Sequence, residues 1–154
     1  MSVTSNTNFL QPTGFRVVIE RAKYGNLEFF AQSVTHPGSS ANAVDRPIAK
    51  IQRFPVAADT IEYTDLSMQL ILDEDMVAYK EMQDWMQRTV DTSEDLSQDI
   101  TVIILTSHNN ANIKIKYEGC LPVQLGSVEL NSTNGDVAYI TYDATFKYTK
   151  FTIS

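Results

Sequence analysis

The side chains best suited to catalysis are few in this sequence and lie far apart. Its two histidines each stand in a turn-like setting, His36 before Pro37 and His108 before two asparagines. Turn formation accounts for both positions, and neither histidine has the neighbours of a general base. We therefore expect two exposed turn residues, and the sequence does not favour an enzyme.

The single cysteine, Cys120, lies beside Leu121 and Pro122, with no histidine near it in sequence. This setting is typical of a small buried side chain rather than of a nucleophile. The three consecutive carboxylates at 73–75 could bind a divalent cation. At the start of a helix, however, carboxylates satisfy free N–H groups and favour the helix dipole. We expect helix capping there, and no metal or cofactor.

Composition indicates one globular domain. The chain has 154 residues, of which 43% are hydrophobic and 20% are charged, as in an ordinary folded domain. Its net charge of -7 has the wrong sign for binding nucleic acid phosphates. The polar N-terminus lacks the regions of a signal peptide, and no apolar run reaches the ~20 residues that span a bilayer. We expect no membrane partner.

Hydrophobic periodicity predicts a β-rich chain with one helix. Alternation in Leu66, Met68 and Leu70, and again in Tyr142 and Phe146, is typical of half-buried strands. The period changes to that of a helix over 75–89, with Trp85 on its apolar side. The predicted strands are 15–21 and 27–34, which we expect to form a hairpin, then 61–72, 100–106, 113–117, 128–130 and 138–153. Pro122 and Gly126 are expected to interrupt the pairing between 117 and 128.

Residues 36–60 are predicted to be a long connection, because Pro37, Pro47 and Pro55 break the pattern. Connections of this length are uncommon inside a compact domain and tend to be functional. This one contains one basic and several apolar residues that a solvated loop does not need: Val44, Arg46, Ile48, Ile51, Phe54 and Val56. We expect them to contact another subunit, although the segment could instead fold back on its own domain.

Two predicted strands have a second face that is polar but carries little charge. These faces comprise Asp65, Ser67, Gln69, Thr141, Asp143 and Thr145. In a monomer they would be a solvated sheet surface, and in a ring of subunits they could line a channel. The predicted helix has its own polar side, formed by Lys80, Asp84, Gln87 and Arg88.

Several short segments occur in an order that resembles a known family. They are Phe29-Phe-Ala-Gln-Ser-Val34, Phe54-Pro-Val-Ala57, Leu72-Asp-Glu-Asp75, Trp85, Leu121-Pro-Val-Gln-Leu-Gly126 and Thr145-Phe-Lys-Tyr148. The ordered set resembles the tail tube proteins of contractile-tailed bacteriophages over nearly the whole chain. None of the segments is specific when taken alone.

The resemblance implies a β-rich α+β fold, in which two packed antiparallel sheets are flanked by one helix. It implies hexameric rings with a continuous inner β-barrel, stacked into a tube inside a contractile sheath. Residues 1–154 would be a single tail-tube domain with a polar arm at 1–14 and an interface loop at 36–60. The polar strand faces would line the lumen, the loop would join stacked rings, and the polar side of the helix would face the sheath.

The implied partners are copies of the chain itself, the tail sheath protein, and the baseplate and tape-measure proteins. DNA would pass through the lumen without specific binding. The implied location is the virion tail, assembled in the host cytoplasm. Two alternatives of the same fold stay open, a baseplate tube initiator and a tube protein of a secretion system. An enzyme or ligand-binding module would need a pocket that the sequence does not reveal.

Overall fold

The computed structural model describes residues 10, 13–19, 31–48, 52–57, 59–92, 96–108, 110–133, 135 and 139–154. Most of the predicted N-terminal arm, the start of the predicted strand 27–34 and Ile51 lie outside these residues. The strands are β1 Phe15–Ile19, β2 Ala31–Thr35, β3 Ser39–Ala41, β4 Val44–Ile48, β5 Gln52–Val56, β6 Ile61–Tyr63, β7 Leu66–Ile71, β8 Gln98–Leu105, β9 Ala111–Leu125, β10 Thr141–Lys147 and β11 Lys150–Ile153. The helix α1 is Val77–Thr92.

The strand pairing is antiparallel and follows the order β1-β8-β9-β10-β7-β2, with β11 also paired to β9. The long strand β9 joins two groups. Its first part pairs with β8 and β11, and its second part pairs with β10. Two separate two-stranded ribbons, β3 with β6 and β4 with β5, complete the architecture.

The core lies between the two groups of strands and under the helix. Leu66, Met68 and Leu70 of β7 and Tyr142 and Phe146 of β10 are at most 2% exposed. They belong to one hydrophobic cluster with residues from β1, β8, β9 and α1. This confirms the apolar faces predicted for both strands, because alternate residues of a half-buried strand point into the core.

The helix begins two residues later and ends three residues later than predicted, but its buried side is the predicted one. Ala78, Met82 and Trp85 are fully buried, and the Trp85 and Phe146 ring centroids lie 5.9 Å apart. Asp73 Oδ2 accepts a hydrogen bond of 3.2 Å from the backbone N–H of Val77. The capping role predicted for the acidic cluster is therefore confirmed for Asp73.

The predicted hairpin between the first two strands is wrong for the described residues. β1 pairs with β8, where Val17 lies opposite Val102, and β2 pairs with β7, where Val34 lies opposite Met68. The two strands therefore stand at opposite ends of the strand order. Periodicity identifies a strand by the face that it buries, but it carries no information about which distant strand is its partner.

The interruption predicted after Tyr117 is also wrong. β9 runs on through Cys120 and Pro122, and Pro122 lies opposite Phe146 of β10. Gly119, with φ of 68°, lies in this strand between the β8-paired and β10-paired parts. A proline is tolerated at an irregularity of this kind, because the register between β9 and β10 shifts directly beside Pro122, between Thr145 and Phe146. Conversely, the strand predicted at 128–130 is absent.

The prediction that residues 36–60 form an irregular loop is wrong. The described residues of this segment lie mostly in β-strands. The β3–β6 ribbon and the β4–β5 ribbon follow one another along the chain, and we call the described residues of 39–63 the arm. Pro47 and Pro55 fit within it, opposite Arg53 and Asp45 respectively. Both strands of a two-stranded ribbon are edges, and a proline on an edge can turn its missing N–H outward.

Candidate assembly surfaces

The structure brings the six predicted lumen residues together on one face of the β9-β10-β7-β2 group. The register sets Gln124, Thr145, Ser67 and Thr35 side by side across all four strands. Opposed residues of antiparallel strands lie on the same face. The result is a row of hydroxyl and amide side chains without a charge, on the opposite face from the core.

The next row of the same face contains one charged side chain, that of Asp143. Asp143 is exposed and lies opposite Gln69, which in turn lies opposite Ser33. Gln69 Nε2 donates a hydrogen bond of 3.2 Å to Thr141 Oγ1. Together with exposed Asp65, which immediately precedes β7, these residues form what we call the polar face: Asp65, Ser67, Gln69, Thr141, Asp143 and Thr145.

The polar side of the helix is of a different kind. Lys80, Asp84, Gln87 and Arg88 are all exposed, as predicted. Asp84 and Arg88 lie one helical turn apart with 3.9 Å between their charged atoms. Such an exposed pair contributes little to stability. This side is thus a conventional charged surface, in contrast to the hydroxyls and amides of the polar face.

The arm carries exposed apolar side chains on one face. Val44 lies opposite Val56, and Arg46 lies opposite Phe54, so these four side chains share one side of the β4–β5 hairpin. Val44 is 62% exposed and Phe54 is 45% exposed. The alternative that the segment folds back on its own domain is therefore not supported for these residues. The arm face, as we call Val44, Arg46, Phe54 and Val56, is available to another molecule.

The base of the arm, in contrast, is fastened to the domain by aromatic packing. The Tyr63 ring lies 5.3 Å from the Phe151 ring and 5.9 Å from the Tyr148 ring, between centroids. The backbone N–H of Thr64 donates to the Gly38 carbonyl over 3.0 Å, and Pro37 is buried. The arm therefore leaves the domain in a fixed direction while the hairpin beyond it is exposed.

His36 takes part in this base, which the sequence did not predict. It is exposed, as expected, but its Nδ1 lies 2.6 Å from Tyr117 Oη, and its ring stands edge-on to Phe151 at 5.0 Å. Burial raises the pKa of Tyr117, so the phenol stays protonated and can donate to Nδ1. No local signal links His36 and Tyr117, because they are 81 residues apart in sequence.

The other candidates for chemistry have structural surroundings. Cys120 is fully buried, and burial raises the pKa of its thiol to about 12, which opposes formation of the reactive thiolate. This confirms the prediction of an inert core side chain. His108 is exposed in a turn, beside Ser107.

The described part of the chain has neither a metal-binding cluster nor a helix of membrane-spanning length. Among those residues, no group of His, Cys, Asp or Glu side chains is arranged to hold a metal ion. None of the helices described there has the length and apolar character needed to cross a bilayer.

The fold is similar to solved structures of contractile injection machines. A chain of the sheath-tube complex of an extracellular contractile injection system, PVC, aligns over 99% of this chain and 99% of its own length, with a TM-score of 0.76 and 13% identity. A chain of the anti-feeding prophage baseplate aligns over 100% and 97%, with a TM-score of 0.69 and 8% identity. A type six secretion system protein aligns over 92% and 82%, with a TM-score of 0.57 and 10% identity.

These similarities lie in structure and not in sequence. No protein-family model matches the chain, and no curated protein matches it. Because the sequence identities are low, the comparisons establish the fold and nothing beyond it. The chain has the fold of the contractile tail tube proteins, and the resemblance drawn from its sequence segments is confirmed at that level.

Proposed function

We propose that the chain is the tube subunit of a contractile tail, and that hexameric rings of it stack into a hollow conduit inside a sheath. The observation that carries the proposal is the polar face. Its residues on β7 and β10 carry hydroxyl, amide and carboxylate groups, and Gln124 of β9 and Ser33 and Thr35 of β2 continue the same face across four adjacent strands. The wall of a conduit must let a polymer pass without holding it, and none of the six residues of the polar face is a cation that would bind phosphates.

Ring formation would use the two ends of the four-stranded group. In the described residues, β2 stands at one end and the second part of β9 at the other. Exposed strand edges are prone to pair with another chain. If β2 of one subunit lies beside β9 of the next, the groups join into one closed barrel, and neither of these two edges is left unpaired. The polar face would then be its inner wall.

The negative charge of the chain fits this role. With a net charge of -7 and the carboxylates of Asp65 and Asp143 on the polar face, a lumen of this kind repels phosphates instead of binding them. DNA of a phage genome would pass without specific contacts. The tape-measure protein would occupy the same lumen before the DNA enters it.

The helix would lie on the outside of the tube. Its buried side packs onto β10 through Trp85 and Phe146, on the opposite side of the strands from the polar face. Lys80, Asp84, Gln87 and Arg88 would thus face the sheath protein, whose contacts with the tube must break during contraction. Exposed charges suit such a contact, since they give specificity at modest affinity.

The arm would connect successive rings. Its fixed base and exposed apolar face are the features expected of a segment that binds a neighbouring subunit, because a preformed arm loses little entropy on docking. Of the predicted stacking residues, Val44, Arg46, Phe54 and Val56 form the arm face. Ile48 is part of β4, and Ile51 lies outside the described residues.

A baseplate tube subunit, which would begin the tube, is the second candidate. The chain aligns with a chain of the anti-feeding prophage baseplate over its entire length, so the overall fold does not separate the two roles. A tube protein of a secretion system is the third, on the weaker likeness to the type six secretion system protein. If the chain is the tube subunit of a phage, its location is the virion tail, which is assembled in the host cytoplasm.

The experiment that tests the proposal is sedimentation velocity of the purified chain over a range of concentrations. A tube subunit is expected to show a ring species and, with rising concentration, particles of increasing size. A baseplate subunit would stop at the ring. A chain that stays monomeric at every concentration and salt condition would contradict both roles.

A further inference from the structure

An apolar groove of about 380 Å³ lies at the start of the helix. Its hydrophobic lining comes from Leu72, Met76, Leu130, Tyr139 and Ile140. Leu130 is 77% exposed and Tyr139 is 68% exposed, so in the isolated subunit large apolar side chains at this groove face water. Such an arrangement is typical of a surface that another molecule covers.

The rim of this groove is acidic. Asp73 and Glu74 line it, and Asp75 follows directly. Asp73 uses Oδ2 to cap the helix, while its Oδ1 is buried without a hydrogen-bond partner among the described residues. Glu74 and Asp75, in contrast, are exposed. The groove therefore favours an occupant that brings apolar side chains together with a cationic donor for these accessible carboxylates.

The arm face has this composition. Val44, Val56 and Phe54 supply apolar side chains, and Arg46 stands beside Phe54 in the register of the hairpin. A guanidinium is the side chain best able to donate several hydrogen bonds to carboxylates. The arm face and the groove are thus complementary in both polarity and charge.

The arm face and the groove are not covered by one another within one subunit, since Val44, Phe54 and Leu130 are all exposed. The arm joins the domain just before the first residue of β7, Leu66, and the groove begins just after its last, at Leu72. The six residues of β7 separate them, a distance of about 20 Å at the usual rise per strand residue. A protrusion at one end and its complementary groove at the other allow a head-to-tail contact, which repeats as an open stack when the rotation between subunits does not close a ring.

We propose that the arm face of each subunit occupies the acidic apolar groove of the subunit stacked on it. Arg46 then pairs with the exposed carboxylate of Glu74, and Phe54 packs against Leu130 and Tyr139. The inference rests on the proposed stacking of rings and names the surface that receives the arm. The occupant is a second copy of this chain.

The test is covalent capture of the contact. A double variant, Phe54→Cys with Leu130→Cys, is assembled under the conditions that give particles in the sedimentation experiment and is then oxidised. We expect a ladder of covalent dimers, trimers and longer oligomers on a non-reducing gel. A mixture of the two single variants should give dimers only, because each subunit then forms one bond. Cys120 is buried in every variant and contributes no bond.

The matched control places the second thiol elsewhere. Val90 on the helix is 80% exposed, so Phe54→Cys with Val90→Cys should give less than a tenth of the crosslinked product. A charge exchange gives an independent readout. Arg46→Glu should lower the yield of particles larger than a ring at least tenfold, and adding Glu74→Arg in the same chain should restore most of that yield.

The outcomes separate the two proposals. If tubes form, and both the crosslinked ladder and the rescue by Glu74→Arg are observed, the groove is supported as the surface that receives the arm. Tubes whose Phe54→Cys and Leu130→Cys variant gives no more crosslinking than the Val90→Cys control would overturn this inference and leave the tube function standing. An absence of rings and tubes from the wild-type chain would overturn the function and the inference with it.

Discussion

The indole Nε1 of Trp85 donates a hydrogen bond to the backbone carbonyl of Leu96 across 3.0 Å. The bond ties the middle of the helix to the segment that leads into β8, while the ring packs against Phe146. The side chain is fully buried. Trp85 thus connects the helix to the segment before β8 and to the core face of β10.

We expect Trp85→Ala to lower the free energy of unfolding by about 3 to 5 kcal/mol, because it leaves a cavity where an aromatic ring was packed. Urea unfolding monitored by circular dichroism measures the change. Val90→Ala on the same helix, at a side chain that is 80% exposed, should change stability by less than about 0.5 kcal/mol. Equal effects of the two substitutions would show that the helix is not docked as described.

The chain should lose stability at alkaline pH. Burial raises the pKa of Tyr117, Tyr142, Tyr148 and Cys120 above their ordinary values of 10.0 and 9.0. Above about pH 9 the unfolded chain ionises these groups first and so binds fewer protons than the folded chain. Stability must then fall as pH rises. Each fully buried group contributes up to about 1.4 kcal/mol per pH unit between its two pKa values.

Tyr142→Phe provides the matched test of this pH dependence. The Tyr142 hydroxyl is buried without a hydrogen-bond partner among the described residues, so its removal should be neutral or stabilising at pH 7. The variant should also lose less stability than the wild type between pH 9 and pH 11, as measured by urea titrations at each pH. Tyr139→Phe, at a 68% exposed ring, should leave the profile unchanged. Identical profiles for all three chains would refute the assignment.

Gly126 has no room for a side chain. A Cβ there would stand 2.9 Å from the backbone N and 3.0 Å from the backbone O of Asp143, where Gly126 N–H donates to Asp143 O. Backbone atoms cannot move aside, so we expect Gly126→Ala to cost about 1 to 3 kcal/mol of unfolding free energy. Gly38→Ala meets no atom within 4 Å and serves as the control. A Gly126→Ala chain as stable as the control would contradict the β9–β10 junction.

The sequence predicted those parts of the fold that depend on one face being buried. The alternation in β7 and β10 and the apolar stripe around Trp85 were sufficient to assign the buried face of each strand and the buried side of the helix, because burial imposes a period on the residues themselves. Strand partners were not predictable in this way. The pairing of Val17 with Val102 joins distant parts of the chain, and nothing local specifies it.

The arm shows the other limit of sequence analysis. Pro47 and Pro55 argue against a strand in the middle of a sheet, and residues 36–60 were accordingly predicted to be a loop. In a two-stranded ribbon the same prolines are acceptable, so the prediction failed on secondary structure. The underlying observation, that Val44 and Phe54 are too apolar for a solvated loop, depended only on composition, and both side chains are exposed in the fold.

If the polar face lines a lumen, positive charges introduced on it should bind DNA inside the tube. Tubes of a double variant, Asp65→Lys with Asp143→Lys, should bind short duplex DNA and protect it from nuclease, because the cations would lie inside the conduit. In a phage, the same change should slow DNA ejection. Both residues are exposed, so the subunit should still fold and assemble.

The control for that experiment puts the same charges on the outer surface. Asp84 and Asp91 are exposed on the helix, so tubes of Asp84→Lys with Asp91→Lys should also bind DNA but leave it open to digestion. Equal nuclease sensitivity of the DNA bound by the two variants would place the polar face outside a lumen.

The most direct test of the account is a cryo-electron microscopy reconstruction of particles assembled from the purified chain. We predict hollow hexameric rings, stacked into tubes, in which β7 and β10 form the inner wall, Asp143 points into the lumen and the helix carrying Trp85 lies outside. A reconstruction with the helix lining the channel, or a preparation that contains only monomers, would contradict it.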